Sequence, residues 1–154
     1  MSSYETNESS LIELLKQCSR LEKLTLNNTQ LLTFVSANGA DMVHAKNLQE
    51  LNLDNTLFVC NDQVCLEMSD LDNDEHSTIF LFHKCGSTVL ERISIKNATF
   101  QTMGKRIVIP QNALIKFIRN APLSLRYFSS DLSQESIEML QSEEGGRGSE
   151  IEFG

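Results

Sequence analysis

The sequence predicts an α/β fold: a short solenoid with a parallel sheet on one side and helices or turns on the other. Three observations lead there. Leucine is the dominant residue, 21 of 154, and it recurs in a fixed pattern. That pattern has a period-two centre, the mark of a short strand that buries alternate side chains. The stretches between its copies carry apolar residues at helical spacing. A length of 154 residues fits one domain, since domains usually run roughly 100–200 residues. With 40% hydrophobic and 22% charged residues, 7 Gly and 2 Pro, the composition excludes collagen and a disordered linker.

The copies come in order along the chain. Residues 21–31, LEKLTLNNTQL, read L-x-x-L-x-L-x-x-T-x-L, with Leu21, Leu24, Leu26, Thr29 and Leu31 at the marked places. Residues 48–58 put Leu48, Leu51, Leu53, Thr56 and Phe58 there, and residues 90–100 put Leu90, Ile93, Ile95, Ala98 and Phe100 there. A weaker fourth copy, residues 122–132, offers Pro122, Leu125, Tyr127, Ser130 and Leu132. The two central aliphatic residues of each copy point inward, and the residues between and beside them point outward. Thr29, Thr56 and Ser130 can bond the backbone of the turn that leaves the strand; Ala98 cannot.

This spacing resembles the leucine-rich-repeat family. The resemblance implies a horseshoe arc with a parallel sheet on the concave face and helices or turns on the convex one. It implies one domain over 1–154 with about four repeats. Strands are expected near 23–27, 50–54, 92–96 and 124–128, with an insertion at 59–80 and an acidic tail at 141–154. The segment SLRYFSSDLSQESIEMLQSE, with EIEF beyond it, also resembles the C-terminal end of uncharacterised leucine-rich-repeat proteins of diatoms and related algae. In such proteins the last helix is expected to run directly into the last strand; here EEGGRG stands between them.

The connecting segments follow in order. Ser10 and Glu13 form a capping box ahead of Leu11, Ile12, Leu14, Leu15 and Cys18, which predicts a helix over 9–18. Half a repeat precedes Leu21, so either that helix caps the array or the chain is part of a longer one. Residues 32–46, with Phe34, Val35, Met42 and Val43, read as helix broken into turns at Gly39. Ile79–Cys85 reads as a further helix. KRIVI at 105–109 predicts an extra strand. Pro110 suits the first position of a helix over 110–119. Ser133 caps a last helix carrying Ile137, Met139 and Leu140. Ile151–Phe153 reads as an edge strand.

Charge is unevenly placed. The net charge of −8 divides into −3 over residues 1–60, −6 over 61–76, zero over 77–91, +7 over 92–126 and −6 over 127–154. Overall acidity argues against nonspecific nucleic-acid binding, while the basic block 92–126 keeps RNA binding as the alternative function. The start MSSYETNESS has neither the basic nor the apolar part of a signal peptide, and apolar runs such as Ile79–Phe82 fall far short of the ~18 residues of a membrane helix. The expected compartment is therefore cytoplasm or nucleus.

Chemical motifs are sparse. Cys60 and Cys65, followed by His76, His83 and Cys85, are zinc-ligand types, but the paired C-x-x-C knuckle is missing. They read first as small apolar residues of the core or insertion. Asp70, Asp72 and Asp74 begin like a calcium loop, but Glu75 and Leu81 stand where Gly and Glu are required. No nucleophile elbow, zinc-protease helix or phosphate-binding glycine loop occurs. The expectation is a protein without enzymatic activity or cofactor that binds a protein partner through the concave face, an expectation that rests on family analogy. The outward columns name the residues: Lys23, Glu50, Arg92 and Ser124; Thr25, Asn52, Ser94 and Arg126; Asn27, Asp54, Lys96 and Phe128. Arg126 with an exposed Phe128 has the composition of a binding hot spot.

The proposed register has a direct consequence for Leu51, which it places at the centre of the core. Leu51→Ala should cost about 2–5 kcal/mol in chemical denaturation. A loss below ~1 kcal/mol would place Leu51 outside the core.

Overall fold

After each of its first three leucine-rich strands the chain turns a sharp corner, and two sheets result. The computed structural model describes residues 4–7, 17, 18, 20–33, 47–60, 89–102 and 105–154. Strands β2 (Lys23–Thr25), β4 (Glu50–Asn52) and β6 (Arg92–Ser94) lie before the corners. Strands β3 (Thr29–Thr33), β5 (Leu57–Cys60) and β7 (Thr99–Thr102) lie after them. The first set joins β9 (Tyr127–Ser129) and β10 (Glu152–Phe153) in a front sheet of order β10-β9-β6-β4-β2, parallel throughout. The second set joins β1 (Tyr4–Asn7) and β8 (Lys105–Val108) in a back sheet of order β1-β3-β5-β7-β8. Its strands are parallel except for the β7–β8 hairpin. The architecture is mixed α/β.

The corners have one backbone device in common. Asn28, Asn55 and Asn97 adopt positive φ angles of 57°, 58° and 56°. Asn is the non-glycine residue that enters this left-handed region most readily. Each corner amide then reaches the next unit. Asn28 N–H donates to the Asp54 carbonyl (3.2 Å) and Asn55 N–H to the Lys96 carbonyl (2.8 Å). At the third corner the Asp131 carboxylate takes that role, accepting from Asn97 N–H at 2.9 Å. Thr56 Oγ1 donates across to the Leu26 carbonyl at 2.9 Å, and Thr29 Oγ1 to the Asn27 carbonyl at 3.3 Å. Ala98 is buried at the matching place and has no group to give.

The core lies between the sheets and against the helices. Register pairs Leu24 with Leu51 and Leu51 with Ile93, then Ile93 with Phe128. Leu48, Leu53, Leu90, Ile95, Leu125 and Phe58 are buried alongside. Helix α1 (Gln111–Arg119) follows Pro110, an extended N-cap whose carbonyl accepts from Ala113 and Leu114; the helix thus starts one residue later than the sequence suggested. It buries Ala113, Leu114, Phe117 and Ile118, and the Phe117 ring lies 5.5 Å from that of Phe128, tilted 33°. Helix α2 (Gln134–Ser142) is capped by Ser133, whose Oγ accepts from Ser136 N–H at 3.1 Å. Arg119 at the end of α1 holds Glu143 with two-pronged hydrogen bonds of 2.6–3.3 Å. These bonds and the opposite charge raise the Arg119 pKa; the same bonds lower that of the Glu143 carboxyl. Among the described residues no helix is long and apolar enough to cross a membrane.

Several sequence expectations are corrected. The other side of the first three units begins with strands, not with helices or turns. TQLLT, LFVC and TFQT are rich in β-branched and aromatic residues, and the corner delivers them directly into a second ladder. The fourth front strand is Tyr127–Ser129, not 124–128, because Leu125 rather than Pro122 takes the opening apolar place beside Leu90. Phe128 is consequently at the core position opposite Ile93, 0% exposed, and cannot be a surface anchor. Ser130 lies beside Ile95, not at the place of Ala98, and its Oγ accepts from Leu132 N–H at 3.2 Å.

The acidic segment 141–154 is not a free tail. EEGGRG is a clamp: Arg147 Nη2 donates to the Pro122 and Leu125 carbonyls at 2.9 and 3.0 Å, and Arg147 also pairs with Glu150. Gly148 is buried so close to α2 that a Cβ would run into the Leu140 carbonyl. The clamp delivers Glu152–Phe153 into pairing with β9. The expected helix over 32–46 loses its first two residues to β3, which runs to Thr33; the rest of it, nearly all of the expected helix over 9–18, the whole of 79–85 and most of the insertion 59–80 lie outside the described residues.

The placement of Phe128 separates the two registers experimentally. Phe128→Ala should cost about 3–5 kcal/mol of unfolding free energy, as for other buried Phe truncations. A cost within about 0.5 kcal/mol, measured by denaturant titration, would restore the surface placement.

Candidate functional site

Strand alternation turns one set of side chains of the front sheet outward. Because Leu24, Leu51, Ile93 and Phe128 face the core, the residues on either side of each face away from it. The first outward row therefore runs Lys23, Glu50, Arg92, Tyr127 and Glu152, in the register of the paired strands. Lys23 Nζ is 3.7 Å from Glu50 Oε2, and Arg92 Nε is 4.0 Å from Glu50 Oε1. The Arg92 guanidinium carbon then lies 4.2 Å from the centroid of the Tyr127 ring. An ion pair at this exposure contributes about 0–1 kcal/mol, and an exposed cation–π contact about 0.5–1 kcal/mol. Their main effect is to order the long side chains into a prearranged surface.

The second row runs Thr25, Asn52, Ser94 and Ser129. Just beyond the strands stand Asn27, Asp54, Lys96 and Asp131. Here much of the polar capacity is spent inside the molecule. Asp54 Oδ1 accepts from Ser94 Oγ at 2.7 Å and from Lys96 N–H at 2.8 Å. Asn52 Oδ1 accepts from Asp54 N–H at 3.0 Å. Asp54, Asn52 and Ser94 thus set the corner, while Thr25, Asn27 and Lys96 remain exposed.

Of the residues named from the sequence, the structure brings Lys23, Glu50, Arg92, Thr25, Asn52, Ser94, Asn27, Asp54 and Lys96 onto this side of the front sheet. It does not bring Phe128, which is core, nor Arg126 to its expected place. Arg126 lies three residues before its expected place beside Ser94, level with Glu91, whose carbonyl accepts its N–H at 2.8 Å. Ser124 donates Oγ to the Leu90 carbonyl at 2.7 Å and is part of the turn before β9. Tyr127 and Asp131 occupy the fourth strand's outward places instead, while Ser129, in the second row, is buried. A signal for them was present: L-x-x-F-x-S from Leu125 to Ser130 fits the repeat without a proline at its opening place. The recurring Asn of N-N-T, D-N-T and K-N-A, at 28, 55 and 97, was likewise readable and marks the corners.

The basic block does not form one surface. Arg92, Lys96 and Arg126 belong to the front sheet and its margin, Arg106 to β8 of the back sheet, and Lys116 and Arg119 to α1. Arg119 is engaged by Glu143. The candidate metal ligands Cys65, His76, His83 and Cys85 lie outside the described residues, as does the side chain of Cys60. Among the described residues no group of three or more His, Cys, Asp or Glu side chains could hold a metal ion.

Comparison with protein-family models, with curated proteins and with solved structures finds no match for this chain.

Proposed function

We propose that this chain is a short leucine-rich-repeat solenoid and acts as a non-enzymatic interaction module, binding a protein partner through the outward face of the front sheet. Support for the repeat reading comes from the five-place spacing in the first three copies and from the pairing of Leu24, Leu51 and Ile93 as neighbours. Support for the binding face comes from one observation above the others. Arg92 is held over Tyr127 in the middle of an exposed row carried on strands. Arg and Tyr are the residue types in which binding energy concentrates at interfaces, and rigid strands position them at low entropic cost. The row is of mixed sign, Lys23, Glu50, Arg92 and Glu152, which suits a protein surface of equally mixed charge better than a polyanion.

The test is affinity capture from a native lysate with wild type and with Arg92→Glu/Tyr127→Ala, both checked for an unchanged melting transition. A partner held by wild type should bind the variant with a loss of ~2 kcal/mol or more, roughly 30-fold in affinity. Equal retention by both proteins would remove this face as the binding site.

A further inference from the structure

The two sheets are out of step by one strand. Three units, β2–β3, β4–β5 and β6–β7, each give one strand to each sheet. Among the described residues, the back sheet alone continues beyond the first unit, with β1 beside β3. Beyond the fourth level the front sheet alone continues, with β10 beside β9. One end of the stack therefore overhangs in back and the other overhangs in front. Among the described residues, β2 and β10 are the two edges of the front sheet, and they run in the same direction.

The groups on those edges are complementary. Glu152 and Gly154 donate their N–H groups to the Arg126 and Phe128 carbonyls, so the N–H and C=O of Phe153 point away from β9. Leu26 N–H and the Glu22 carbonyl bond to β4, so the N–H and C=O groups of Lys23 and Thr25 point away from it. The apolar residues at both edges are only half-buried: Leu21, Leu24 and Leu26 at one, Phe153 at the other. Their counterparts inside the sheet, such as Leu48, Leu51 and Ile93, are buried.

We propose that the β10 edge of one molecule docks on the β2 edge of a second copy, extending the front sheet head to tail. Glu152 then lies opposite Lys23 of the second copy, and Phe153 opposite its Leu24. The charged row continues across the junction without placing like charges side by side, and the half-buried apolar residues cover one another. The stagger of the sheets fits the same arrangement, because β1 of the second copy falls beside β8. The two joining surfaces differ, so the contact is heterologous and adds copies in a row instead of closing a symmetric dimer. The strand contact is short, so the association is weak and depends on concentration and salt.

Sedimentation velocity of the full chain from about 10 μM to about 1 mM tests this directly. The weighted sedimentation coefficient of wild type should rise with concentration. Lys23→Glu and Glu152→Lys, both at exposed positions, should each weaken association about tenfold or more by setting like charges against each other. An equimolar mixture of the two should associate again, because each reversed edge meets an opposite charge on the other variant. A wild type that stays monomeric throughout, single variants that associate like wild type, or a mixture that fails to recover would each overturn the proposal.

Discussion

The structure depends on what happens at Asn28, Asn55 and Asn97. A front strand of three residues can bury little more than one side chain against a sheet neighbour. The left-handed backbone at each Asn turns the chain through a corner, and the next residues become a second strand within one or two positions. One unit then presents apolar side chains from two directions to a shared interior. Leu51 and Leu53 come from the front of the second unit, and Phe58 from its back. An Ala or β-branched residue at a corner would face about 1–2 kcal/mol of backbone strain, which Asn mostly avoids. The corner amides also tie unit to unit, through the Asp54 and Lys96 carbonyls and finally through the Asp131 carboxylate.

How much of this the sequence disclosed differs from element to element. The first three front strands begin where the leucine spacing places them, at Lys23, Glu50 and Arg92. There, period and burial agree. The fourth strand lies three residues beyond its expected place because Pro122, Leu125 and Tyr127 imitate the spacing, and in a linear pattern the proline weakens that copy without deciding against it. The decision is three-dimensional: Phe128 fits between Ile93 and the Phe117 ring, and Leu125 fits beside Leu90. Of the back sheet only β8 was legible, as KRIVI; the strands that follow the corners were hidden for another reason. TQLLT, LFVC and TFQT are too short to show a period, and only the positive φ of the preceding Asn commits them to a ladder. The clamp at EEGGRG was equally hidden, since its logic lies in Arg147 reaching carbonyls more than twenty residues away.

The candidate face was legible in part for related reasons. Lys23, Glu50 and Arg92 follow from strand alternation alone. That Asp54 and Asn52 are occupied in shaping the corner follows only from distances. The spacing from Pro122 puts Tyr127 in the core and Phe128 at the surface; a shift of one residue in a strand exchanges its two faces, and a shift of three does the same. The aromatic partner of Arg92 is therefore an outward tyrosine, and the buried phenylalanine beside it helps fix its position.

The central claim is that the fourth front strand pairs with β6 in the register that opposes Phe128 to Ile93. Interstrand nuclear Overhauser effects in the isotope-labelled chain measure it most directly. The account predicts contacts that link Arg92 with Tyr127, Ile93 with Phe128 and Ser94 with Ser129. Contacts that instead link Ile93 with Leu125 and Ile95 with Tyr127 would contradict it.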